Sequence, residues 1–208
     1  MSVKCIFFQE QSVREVDSGT SAFYDDINSK LWFTYRKNFE VFRGTRMSSD
    51  CGWGCMIRSG QMLLANALIH LKLGRHWNWS GPTRSIYIAE DLCDELVHRK
   101  IVQMFGDFNN EEVCPLSIQN MMAVAKESLN RKPGDWIGPT TVSHILKKTV
   151  DKYSHHPNLK NLKIYVAKDS TVHKGEIYAM CRINDVKANS PSYDSLINLD
   201  EYSIIGMI

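Results

Sequence analysis

Apolar residues recur at helical spacing in four stretches of the chain. Between Cys55 and Leu73, Met62, Ala65, Ile69 and Leu73 share one face, and Leu64, Leu68 and Leu71 widen it; Gly74 supplies the stop. So broad an apolar surface predicts a largely buried helix. A second helix is expected over 85–99, with Ala89, Leu92, Cys93, Leu96 and Val97 on one stripe. A third is expected over 117–130, through Ile118, Met121, Met122, Ala125 and Leu129. Pro139 suits the first turn of a fourth, which should bury Val142, Ile145 and Leu146. The run "LKIYVAK" alternates Leu162, Ile164 and Val166 against Lys163 and Tyr165, the pattern of a strand. Asp169 or Ser170 is placed to cap a short helix over 171–182, weakened by Gly175. From Asn184 onward the chain reads as polar and irregular, so this strand has no visible partner.

Composition narrows the function classes. The 208 residues are 43% hydrophobic and 23% charged, the balance of a globular domain with a packed core. A formal net charge of +2, with basic and acidic residues interspersed, gives no basis for nucleic-acid or membrane-surface binding. No apolar run approaches the roughly 18 residues of a spanning helix. The opening "MSVKCIFFQEQSVREVD" is too broken by polar residues for a signal-peptide core, which argues against secretion. Six cysteines are scattered through a chain too large to need stapling, so reduced thiols and a cytoplasmic location are expected.

Chemistry concentrates in "SSDCGWGCMIRSGQMLLANALIHLKLG", where a glycine-broken loop meets the longest apolar helix. Cys55 falls at the joint. There the first unpaired amides and the positive end of the helix dipole favour thiolate over thiol. Gly52 and Gly54 permit close approach of a substrate backbone. The competing reading is a small core cysteine beside Trp53 and Met56. Cys51, four residues earlier, lacks the second Cys/His pair that a zinc site needs, and the adjacent His155 and His156 read as solvated. No metal and no cofactor is expected.

Four stretches in order, "LWFTYRKNF", "SSDCGWGCMIRSGQMLLANAL", "LGRHWNW" and "WIGPTTVSHILKKTV", resemble the autophagin family of autophagy-related cysteine proteases over about residues 28–182. The resemblance implies an α+β, papain-like fold. It also implies processing of the C-terminus of GABARAP-type ubiquitin-like modifiers to expose glycine, and their release from phosphatidylethanolamine. On this resemblance Cys55 matches the nucleophile, Tyr35 a tyrosine of the oxyanion hole, and Trp136 the tryptophan over the substrate glycine's groove. Cys51 has no catalytic position in that pattern. The family's base and its orienting group lie in an Asp-Pro-His run, which this sequence lacks; its nearest string is "HHPN" at 155–158. At about 1.5 Å per residue, a continuous helix puts His70 roughly 20 Å from Cys55. Nothing in the sequence favours His98, His144 or His173. The expected organisation is an N-terminal extension (1–27), a partial papain-like domain (28–183) and an irregular tail (184–208). The helical lobe is present and the sheet-rich lobe largely missing, as in a truncated domain. The alternative function is a non-catalytic protein that binds such modifiers without cutting them.

Overall fold

A computed structural model describes residues 5–6, 20–79, 89–169, 171–181 and 203–207. Within it the longest apolar run forms the helix expected, α2 (Cys55–Leu73), after a short α1 (Thr20–Asn28) that no apolar stripe announces. Helix α2 buries Ile57, Leu64, Ala65, Ala67, Leu68 and Ile69, while Met62, Leu71 and Leu73 are half-buried at its flank. Its Gly60 is a contact requirement: a Cβ there would lie 2.8 Å from Cγ2 of Val142.

Val142 belongs to α5 (Pro139–Lys152), which carries Pro139 in its first turn and turns Val142, Ile145 and Leu146 inward as expected. Helix α4 (Ile118–Leu129) also follows its pattern. The Ser117 hydroxyl caps it by accepting the Asn120 N–H at 3.1 Å, and Asn130 ends it in the left-handed region at φ 51°. Helix α3 (Ala89–Met104) departs from expectation. It runs five residues past position 99, and Cys93 and Leu96 of the expected stripe are exposed. Val97 is half-buried and Ile101 and Met104 are buried, so the packed face lies further along the helix. Positions 85–88 of the expected helix lie outside the described residues.

Strand β2 is Leu162–Val166, and the expectation that it stands alone is wrong. It pairs in parallel with β3 (Ser203–Met207), from Leu162 opposite Ser203 to Val166 opposite Met207. Strand β3 also pairs in parallel with β1 (Cys5–Ile6), giving the order β1-β3-β2. The closing residues are therefore not irregular throughout. Their strand escaped notice because a short continuous apolar run carries no period-2 signal. Nor does β2 follow strict alternation, since Tyr165 is buried against Ala167, Ile177 and Met180. Ile177 and Met180 sit on α6 (Lys174–Cys181), while Leu162 and Ile164 face the main core, so β2 is covered on both sides. A helix between two parallel strands is the usual connection for such pairing. Helix α6 begins three residues later than expected, and Asp169 (φ 50°) precedes it without capping it; Ser170 lies outside the described residues. The aromatic segment 28–43 lies across the core, with Phe33 and Phe42 buried and Trp32 and Tyr35 exposed.

Candidate active site

The chain from Arg36 to Asp50 doubles back on itself. Backbone bonds from Phe39 N–H to Ser48, Phe42 N–H to Met47 and Asp50 N–H to Arg36 close an irregular hairpin, with Gly44 at φ 76° in its turn. Tyr35 thereby ends one arm while the other leads into the turn 50–54. That turn is tight, because the Asp50 carbonyl accepts both the Trp53 N–H at 3.3 Å and the Gly54 N–H at 2.9 Å. Gly52 adopts φ 85°, which a side chain resists, and α2 starts at Cys55 with Gly54 at its N-cap.

This arrangement brings Tyr35 and Cys55 close enough to influence each other. Hydrogen bonding to Cys55 is the largest influence on Tyr35 and raises its pKa above the ordinary 10.0; partial burial and the charges of Cys55, Asp50 and Cys51 act in the same direction. Both side chains remain accessible, Tyr35 being exposed and Cys55 half-buried and unpaired by any disulfide. The placement of Cys55 at a boundary disfavours the small-core reading, since Ile57 and Leu64 fill the core instead.

Beneath this pair lies a charged network that periodicity did not reveal. Arg58, one turn into α2 and nearly inaccessible, donates from Nε to Oδ2 of Asp50 at 2.7 Å. Its Nη1 and Nη2 reach the Asp107 carboxylate at 2.8 and 3.2 Å, and Nη1 also reaches Oε1 of Gln61 at 3.1 Å. The Arg36 guanidinium closes on Asp107 at 2.6 Å. Burial opposes the charge of Arg58, but the bonds and charges of Asp107 and Asp50 outweigh it and raise its pKa. The available signal was two polar residues, Arg58 and Gln61, inside an apolar helix.

Trp136 is 75% exposed, on the turn between Gly134 (φ 95°) and Gly138 at the N-cap of α5. That turn packs against the hairpin arm leading to Cys55, since a Cβ on Gly134 would lie 3.3 Å from Cε of Met47. None of the histidines bonds to Cys55 or Tyr35 among the described residues. His70 lies near the far end of α2, His98 stacks on Trp77 at 4.9 Å, and His76, His144, His155 and His173 are exposed. His156 accepts the Asn158 N–H at its Nδ1. No histidine is among the groups that perturb Tyr35. Among the described residues no cluster of three His, Cys, Asp or Glu could hold a metal ion, and no helix is long and apolar enough to cross a membrane.

Comparison with known proteins identifies a protease family. The profile of the peptidase C54 catalytic domain matches residues 20–199. The human protein named cysteine protease ATG4C is 33% identical over 198 residues, covering 74% of this chain and 42% of its own length. Bovine cysteine protease ATG4A is 37% identical over 181 residues, covering 86% of this chain and 41% of its own. Cysteine protease ATG4D of Xenopus laevis is 33% identical over 195 residues, covering 78% and 40%. The chain thus spans about two fifths of the length of these curated relatives.

Proposed function

The chain belongs to the peptidase C54 family, the autophagin cysteine proteases, and on that premise we propose that it carries the nucleophilic half of a thiol protease acting on GABARAP-type ubiquitin-like modifiers. The juxtaposition of Cys55 and Tyr35 carries this reading. The Cys55 thiolate attacks the carbonyl carbon of the modifier's terminal glycine and forms a tetrahedral oxyanion. The Tyr35 hydroxyl and the Cys55 backbone N–H at the start of α2 donate to that oxygen. Collapse expels the amine of the following residue, or of phosphatidylethanolamine, and leaves a thioester that water hydrolyses to the free glycine carboxylate. Trp136 covers the groove that admits glycine and excludes larger side chains.

Expulsion of the amine needs a proton donor, normally an imidazole oriented by a carboxylate. The 208 residues contain no Asp-Pro-His, and among the described residues no histidine perturbs Tyr35. We assign residues 28–183 to a partial papain-like domain, chiefly its helical lobe, acting in the cytoplasm. An N-terminal extension (1–27) and a tail (184–208) flank it, each adding a strand to the sheet that holds β2. The imidazole then comes from a sheet-rich lobe. A second reading is a protein that binds such modifiers without cutting them.

The experiment joins this chain to an Asp-Pro-His-bearing segment of a family member and follows cleavage of a GABARAP-type precursor. Cleavage abolished by Cys55→Ala supports the protease. Cleavage that survives Cys55→Ala refutes it. Binding of the precursor with no cleavage in any combination favours the second reading.

A further inference from the structure

Asp50 is wholly buried, and its two carboxylate oxygens serve different parts of the site. Oδ1 accepts the backbone N–H of Arg36, the residue after Tyr35, at 2.7 Å. Oδ2 accepts Nε of Arg58, three residues beyond Cys55, at 2.7 Å. Its carbonyl holds the N–H groups of Trp53 and Gly54, the two residues before Cys55. One side chain and its own carbonyl therefore tie together the backbone beside Tyr35, the turn before Cys55 and the helix that Cys55 begins. The fit is close: a Cβ on Gly54 would stand 2.6 Å from Cβ of Asp50 and 2.7 Å from its Oδ2.

We propose that Asp50, fixed by the Arg58 guanidinium, is a positioning residue that holds the Tyr35 hydroxyl against the Cys55 sulfur. The inference rests on the reading of Tyr35 and Cys55 as a working pair. Arg58 supplies its own control. It binds a second buried carboxylate, Asp107, through Nη1 and Nη2, but the bonds of Asp107 run to the arginine side chains and to Gln119, not to the 50–54 turn. Two carboxylates of similar burial thus share one guanidinium and both reach Arg36, but only Asp50 bonds the backbone beside Tyr35 and the turn before Cys55. A buried charge left without its partner is costly at either position, so stability alone does not separate them.

The experiment is a double-mutant cycle on the 208-residue chain. The rate of Cys55 alkylation by iodoacetamide is measured by mass spectrometry with and without Tyr35→Phe, in the unmodified, Asp50→Asn and Asp107→Asn backgrounds. Tyr35→Phe should change the rate about threefold or more in the unmodified and Asp107→Asn chains, as expected for groups in contact. In Asp50→Asn it should change nothing. An unaltered Tyr35 effect in Asp50→Asn overturns the proposal, and so does equal loss in both Asn variants. A rate indifferent to Tyr35→Phe in the unmodified chain overturns the pairing itself, and this inference with it. Should Asp50→Asn fail to fold by circular dichroism, Arg58→Lys takes its place. Lysine keeps the charge but lacks the planar fork, so the Tyr35 effect should again vanish, and its persistence would overturn the proposal.

Discussion

Cys55 is the neighbour that most strongly raises the pKa of Tyr35, across a turn that Asp50 fixes. Residues twenty positions apart in sequence thus share one small, accessible site at the start of α2. Cys55 should therefore be alkylated before Cys51 and Cys93, although both are more exposed. Cys114 should react slowest of these four, since burial raises its thiol pKa. Peptide mapping after brief iodoacetamide treatment near neutral pH reads the order. Faster labelling of Cys51 or Cys93 would show that exposure, not the helix start, governs reactivity.

Tyr35→Phe removes one oxyanion donor and leaves the nucleophile in place. In the protein completed with an Asp-Pro-His segment, turnover of the precursor should fall by about 10²–10³. Cys55→Ala should abolish it. Turnover unchanged by Tyr35→Phe would leave the oxyanion to other donors.

Two glycines should respond oppositely to alanine. At Gly60 a methyl meets the stiff, β-branched Val142 at 2.8 Å, and overpacking should outweigh the gain in helix propensity, for a net loss of about 1 kcal/mol. At Gly175 nothing lies within 4 Å, and alanine should stabilise by about 0.5 kcal/mol. Chemical denaturation of the two variants measures both. A stabilising Gly60→Ala would mean that α2 and α5 are less closely packed than described.

Stability should decline in alkali through Tyr153. Burial, followed by the negative charge of Glu111, pushes its phenol from 10.0 up to about 12, with Arg43 opposing and Glu127 adding slightly. Above pH 10.0 the unfolded chain releases this proton while the folded chain retains it, so unfolding becomes easier as pH rises. The contribution is present below pH 10.0 and is lost by about pH 12, a change on the order of 2 kcal/mol. Tyr153→Phe should flatten this part of the denaturation profile. An identical alkaline slope in the variant would assign the effect to other groups.

The helices that carry wide apolar faces were legible in the sequence because burial on one side leaves a 3.6-residue period. Helix α2 matches its expected limits, and α4 and α5 match their inward residues. Stripe placement on α3 failed because Leu96 and Cys93 mimic a core face without a neighbour to cover them. The partner of β2 was illegible because a parallel strand encodes burial on both faces, and its pairing depends on residues some forty positions away. At the site, Cys55 showed itself through the glycine-broken helix start. Tyr35 and Trp136 came only through resemblance, since an aromatic residue in isolation signals packing. Asp50, Arg58 and Asp107 were invisible to periodicity because their meaning lies in mutual geometry.

The central claim, that Cys55 receives the modifier's C-terminal glycine, is tested most directly with a GABARAP-type modifier whose C-terminus ends in a thiol-reactive vinyl sulfone. Capture needs a nucleophile and a fitting groove, and no proton for a departing amine. Incubated with the 208-residue chain and mapped by mass spectrometry, the probe should form one adduct, on Cys55. The adduct should disappear with Cys55→Ala and form more slowly with a modifier bearing a bulky residue in place of the terminal glycine. An adduct on Cys51 or Cys93, or none on Cys55 while small alkylators still reach it, would contradict the account.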